Sequence, residues 1–216
     1  MRIALIHAII AAIAPVHDAF AKLWPKAEHT DLLDTALLVD REREGELTPA
    51  MTRRIGALAE YAAGTGAAGI LFTCTAFGEA IGAAAAARSP LPVLKPNEAM
   101  FDAAMKAGKR IGMLATFQPA VASLEDEFRA LAALRGSSAT IETVCVESAM
   151  QALRAGDFAM HDRILAAAAP KLSHCDAVVL AHFSTARAEE AVRTHLGCPV
   201  LSAPSAAVNR LKSMVA

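Results

Sequence analysis

Residues 69–81, GILFTCTAFGEAI, and residues 177–189, AVVLAHFSTARAE, share one form: a short apolar run, then a cysteine or histidine, then a helix start. Cys74 and His182 occupy the same place in the two segments, 182 − 74 = 108 residues apart. The displacement recurs. Arg2-Ile3 returns as Arg110-Ile111, again at 110 − 2 = 108, and Leu91-Pro92-Val93-Leu94 returns as Cys198-Pro199-Val200-Leu201 at 198 − 91 = 107. Half of the 216-residue chain is 108, so the sequence reads as one module written twice.

Each module alternates strands with helices. In the first, the apolar runs place strands near residues 2–7, 32–39, 69–73 and 91–94, with helices near 15–24, 48–63, 76–87 and 98–107. In the second, strands fall near 110–115, 140–146, 176–181 and 198–201, with helices near 119–134, 147–154, 158–172, 185–195 and 205–214. Short strands uninterrupted by polar residues indicate parallel sheets covered on both faces. The expected fold class is therefore α/β, with two pseudo-symmetric lobes. Each is a four-stranded parallel sheet flanked by helices, and the active site lies in the cleft between them. Asn97 and Ser205 are N-cap residue types after the last strand of each module. If each final helix crosses to the other lobe, the first lobe comprises residues 1–95 plus 205–216 and the second residues 96–204.

Composition narrows the function. With 21 basic against 22 acidic side chains and a formal charge of −1, no basic surface calls for nucleic acid or an anionic membrane. The four cysteines, Cys74, Cys145, Cys175 and Cys198, form no C-x-x-C pair and read as reduced thiols in a cytoplasmic protein. Residues 2–16, RIALIHAIIAAIAPV, imitate a secretory signal, but the pattern recurs as RIGMLAT at 110–116, which marks a buried strand. The apolar stretches are too short to span a bilayer. No G-x-G-x-x-G follows any strand, so no dinucleotide cofactor is expected.

Ligands of open parallel sheets sit beyond the carboxyl ends of the strands. The polar residues expected there are His7, Cys74 with Thr75, Thr116, and His182 with Ser184 and Thr185. An approximate two-fold relation would set Cys74 opposite His182 across one small molecule. The helix start after Cys74 favours its thiolate, and an acid on one face of a carbon with a base on the other is what racemisation requires. Thr75, Thr116, Ser184, Thr185 and free backbone N–H groups would hold a carboxylate without a charged clamp. His7 either orients the substrate or caps its strand. Cys145, Cys175 and Cys198 read as packing, and His17, His29, His161, His174 and His195 as surface or helix-terminal residues. Asp40-Arg41-Glu42-Arg43-Glu44 reads as a solvated loop. A metal site from Cys74, His182 and His7 lacks any local ligand pair, and none is expected.

The segment GILFTCTAFG, its counterpart AVVLAHFSTA, the Pro-Val-Leu strands after each and Leu114-Ala115-Thr116 resemble the aspartate/glutamate racemase superfamily, with its hydantoin racemase, maleate isomerase and arylmalonate decarboxylase relatives. The resemblance runs over essentially the whole chain. It implies a cofactor-independent isomerase that uses neither pyridoxal phosphate nor a metal. Its substrate would be a small amino acid or 2-substituted carboxylic acid, handled by proton transfer between Cys74 and His182. Racemases of this kind commonly carry two cysteines, and here His182 stands at the second position. A one-thiol decarboxylase and a maleate-type cis-trans isomerase with Cys74 as nucleophile therefore stay open, as do a two-lobed small-molecule binding protein and a homo-oligomeric assembly.

Overall fold

A computed structural model describes residues 1–215. The chain divides into two compact units, Met1–Pro96 joined by the C-terminal helix from Pro204 on, and Asn97–Ala203.

The first unit carries a parallel sheet in the order β2-β1-β3-β4, built from β1 (Arg2–His7), β2 (Glu28–Leu33), β3 (Gly69–Phe72) and β4 (Val93–Leu94). The second repeats it as β6-β5-β7-β8, with β5 (Arg110–Ala115), β6 (Thr140–Cys145), β7 (Ala177–Leu180) and β8 (Val200–Ser202). Register repeats with order. Ile3 pairs with Gly69 and Ile111 with Ala177, both members displaced by 108. The central strands β3 and β7 are buried at every residue, because helices cover both faces and leave no position for a polar side chain.

The helices follow the strands in turn. In the first unit these are α1 (Ile13–Leu23), α2 (Ala36–Glu44), α3 (Pro49–Gly64) and α4 (Gly78–Arg88). In the second they are α5 (Glu98–Ala107), α6 (Gln118–Leu134), α7 (Glu147–Arg154), α8 (Phe158–Ala168) and α9 (Glu189–Arg193), and α10 (Ala203–Val215) returns to the first unit. Helix α3 starts with Pro49 at its first position and the Thr48 hydroxyl accepting the Met51 N–H at 3.3 Å, two favourable N-terminal features. Helix α10 lies so close to β3 that a β-carbon on Gly69 would sit 3.0 Å from Leu211.

Three local expectations are corrected. The second strand occupies 28–33 rather than 32–39, and residues 36–44 form α2, closed by Gly45 in the left-handed conformation at φ 73°. The segment EHTDLL lies at the sheet edge and is only partly buried, so it lacks the apolar run that marks its neighbours. The charged run 40–44 is accordingly helical, and Arg41 is turned inward with Leu37 and Leu38. Finally, neither expected cap forms. Asn97 is fully buried and its amide donates toward Glu127 at 3.4 Å, while Ser205 lies inside α10.

Candidate active site

The chain leaves β3 through Thr73 and Cys74 in extended geometry and enters a 3-10 turn at Thr75–Phe77 that leads into α4. The turn aims the Ala76 N–H at the Cys74 sulfur. Cys74 keeps some solvent-accessible surface, yet the protein packed around it pushes its thiol up to about 11, against the pull of the Ala76 N–H and of Arg41. This reverses the expectation of an acidified thiol: the helix start does favour the thiolate, but desolvation is the larger effect.

Arg41 is the residue here that sequence reasoning missed. It is 6% exposed, its Nε donates to the Ala76 carbonyl at 3.4 Å, and it lies close enough to Cys74 for the two to interact electrostatically. A guanidinium therefore stands beside the thiol. The signal lay in Leu37, Leu38 and Arg41, which share one helical face at spacings of three and four residues.

His7 ends β1, buried beside Thr73. Its Nδ1 lies 2.8 Å from the Thr73 hydroxyl and its Nε2 2.9 Å from Asp31. Burial lowers the His7 pKa although Asp31 opposes the shift, which keeps the ring neutral. A neutral ring that donates from Nε2 to the carboxylate accepts at Nδ1 from the Thr73 O–H. Both ring nitrogens are thus committed to protein groups. His17 reaches the same Asp31 carboxylate at 2.9 Å and packs against the His29 ring at 4.5 Å. Burial tends to raise the Asp31 pKa, but the hydrogen bonds from His17 and His7 outweigh it and leave the group below its ordinary value.

The second unit builds the matching station. The chain leaves β7 through Ala181 and His182, again extended, into a 3-10 turn at Phe183–Ala188. The buried Thr185 locks that turn: its hydroxyl donates to the His182 carbonyl at 2.6 Å and takes the His182 N–H at 3.3 Å. Ser184 is also buried. Thr116 follows β5, the strand next to β7, and its buried hydroxyl has no hydrogen-bond partner among the described residues. Desolvation, with His161 adding to it, lowers the His182 pKa to about 4. His161, expected as a surface or helix-terminal residue, lies in the first turn of α8 but is fully buried, with Nδ1 2.7 Å from Asp162. The structure thus groups His7, Thr73, Cys74, Thr75 and Arg41 at one strand-end station. It groups Thr116, His182, Ser184 and Thr185 at the other. Among the described residues, no trio of metal-ligating side chains occurs at either station and no helix is long and apolar enough to cross a membrane.

Two parallel four-stranded sheets of identical order, each ending in such a turn, define a fold shared with known racemases. Glutamate racemase from Francisella tularensis subsp. tularensis SCHU S4, solved in complex with D-glutamate, aligns at a TM-score of 0.76 and 14% identity, covering 99% of this chain and 80% of that one. Aspartate racemase from Picrophilus torridus aligns at 0.75 and 14%, covering 99% and 94%. A mutant arylmalonate decarboxylase in a sulfate-associated form aligns at 0.67 and 18%, covering 100% and 93%. No curated protein matches the sequence. The family model for Asp/Glu/Hydantoin racemase matches residues 15–211, and the chain belongs to that family.

Proposed function

We propose that this protein is a cofactor-independent racemase or epimerase of a small amino acid or 2-substituted carboxylic acid, with Cys74 and His182 as its two acid/base groups. The observation that carries this reading is their equivalence. Both lie two residues beyond the strand next to β1 or β5, both lie at the same point of the 108-residue repeat, and both open a 3-10 turn.

Their resting states are complementary. A thiol with a pKa near 11 holds its proton, and an imidazole with a pKa near 4 is neutral; its side chain accepts the Thr185 N–H, so His182 acts as a base once that hydrogen bond gives way. In the forward step, His182 takes the proton from the carbon next to the carboxylate, and the electron pair left behind delocalises onto that carboxylate. Cys74 then delivers its proton to the opposite face of the carbon. This leaves an imidazolium and a thiolate, and the thiolate is stabilised by Arg41 and the Ala76 N–H. Reaction of the antipode, or exchange with solvent, returns both groups to the start. Arg41 and the free hydroxyl of Thr116 supply groups able to hold the substrate carboxylate, and Thr75, Ser184 and Thr185 shape the turns that present the two acid/base groups.

A second reading rests on the asymmetry of the pair. A single protonated thiol suits one-sided delivery of a proton to a carbanion left by loss of CO₂, as in a decarboxylase. Incubating a panel of small amino acids, 2-substituted acids and 2-substituted malonates in heavy water separates the two. Inversion with deuterium uptake at the α-carbon is expected for the wild type. If Cys74→Ser exchanges as fast as wild type on a confirmed substrate, Cys74 has no part in proton transfer. Chemistry without inversion in His182→Ala, on a substrate that releases CO₂, favours the decarboxylase.

A further inference from the structure

Glu142, His174 and Cys175 meet at the part of the second sheet that precedes β7, at the other end of that strand from His182. Their ligand atoms all lie within 4.8 Å of one another, and His174 Nε2 is 2.8 Å from Glu142 Oε2. The three come from two places in the chain. Glu142 is on the edge strand β6, whereas His174 and Cys175 sit in the turn that feeds β7.

Gly112 brings them together. It is the register partner of Glu142 in the neighbouring strand, so a side chain there would project from the same face of the sheet. Cys175 uses the space left by its absence: a β-carbon on Gly112 would stand 3.1 Å from the Cys175 sulfur. The sulfur is thereby held over the sheet next to Glu142, 6% exposed, while Glu142 and His174 stay open to solvent.

We propose that Glu142, His174 and Cys175 bind a borderline-soft divalent cation of the zinc type, outside the acid/base stations. The donor set of one oxygen, one nitrogen and one sulfur suits such an ion. Tetrahedral coordination places these atoms about 3.3–3.6 Å apart, so the His174–Glu142 pair opens by roughly half an ångström and the wider separations close by up to roughly 1 Å, movements that two exposed side chains can make. A water molecule would complete the fourth position. On binding, the Cys175 thiol releases its proton to solvent. The imidazole coordinates as a neutral ring, so the hydrogen bond it shares with Glu142 gives way to the cation. The bound ion ties the edge strand β6 to the turn before β7, a structural role.

Cobalt(II) titration of the chelator-treated, reduced full-length protein tests this. The wild type should take up one equivalent, with a thiolate-to-cobalt charge-transfer band in the near ultraviolet and strong tetrahedral bands in the visible. Cys175→Ala should lose the charge-transfer band, His174→Ala should weaken binding roughly tenfold or more, and Cys145→Ala should bind as wild type does. His174 is exposed, so its variant keeps the test valid even if Cys175→Ala fails to fold. No charge-transfer band at stoichiometric cobalt, or a band that persists unchanged in Cys175→Ala or His174→Ala, overturns the site.

Discussion

His7 Nδ1 sits 2.8 Å from the hydroxyl of Thr73, the residue immediately before Cys74, and joins that strand end to Asp31 through its other nitrogen. The second unit has nothing like it. At the positions 108 residues on, Ala115 and Ala181 replace His7 and Thr73, so a polar brace backs the thiol and only methyl groups back the histidine. We propose that this brace fixes the backbone that carries Cys74, with His7 as a positioning residue.

Thr73→Val should therefore leave a buried ring nitrogen without its donor and cost about 1–3 kcal/mol of stability, read from urea unfolding. The double variant Thr73→Val/His7→Ala should lose less than the sum of the two singles. Strict additivity would show that the two side chains do not act together.

Stability should fall on acidification through His182. Its folded pKa is lowered to about 4 from 6.5, so the unfolded chain binds the proton more readily. The contribution is complete above pH 6.5 and is lost as pH falls toward 4. The loss is on the order of 3 kcal/mol. Burial lowers the pKa of His7 and His161 in the same direction. Urea midpoints at pH 7.5 and pH 4.5 should converge more in His182→Gln than in the wild type, and an identical acid loss in both would contradict the assignment.

The sequence exposes what two-sided burial controls and hides what edges and single contacts control. Strands β1, β3, β5 and β7 are legible as apolar runs because helices cover both faces, and the 108-residue displacement locates Cys74 and His182. The edge strand β2 is not, since its residues Glu28, Thr30 and Asp31 face solvent or the His17 side and break the run. Arg41 and His161 are hidden for a different reason. Arg41 sits in a charged run and His161 beside Asp162 and Arg163, and only the packing of each helix turns the side chain inward.

Alkylation of Cys74 should be slow at neutral pH and accelerate through the alkaline range toward its raised pKa near 11. Removing the nearby cation with Arg41→Met should slow the reaction at pH 8.5 by roughly threefold to tenfold, and Arg41→Lys should restore most of it. Iodoacetamide kinetics followed by peptide mapping check this, and an Arg41→Met rate equal to or above wild type would count against the electrostatic coupling.

Gly108→Ala should be among the most damaging small substitutions. A β-carbon there would lie 2.2 Å from the β-carbon of Asp176, too near its backbone to move aside cheaply. Asp176 takes the N–H groups of Lys109 and Arg110 at 2.9 and 2.8 Å and so fastens the start of β5 to the start of β7. We expect a loss of about 1–3 kcal/mol or more, seen as a lower urea midpoint, whereas alanine at the half-buried Gly56 inside α3 should hold or raise the midpoint, by up to about 1 kcal/mol, because no atom lies within 4 Å of its added methyl.

The most direct test of the two-station account follows each antipode of a confirmed substrate separately in heavy water. Wild type should exchange the α-proton of both antipodes, while His182→Asn should exchange only one of them and Cys74→Ala only the other. Loss of exchange for the same antipode in both variants, or undiminished exchange of both antipodes in either one, would contradict it.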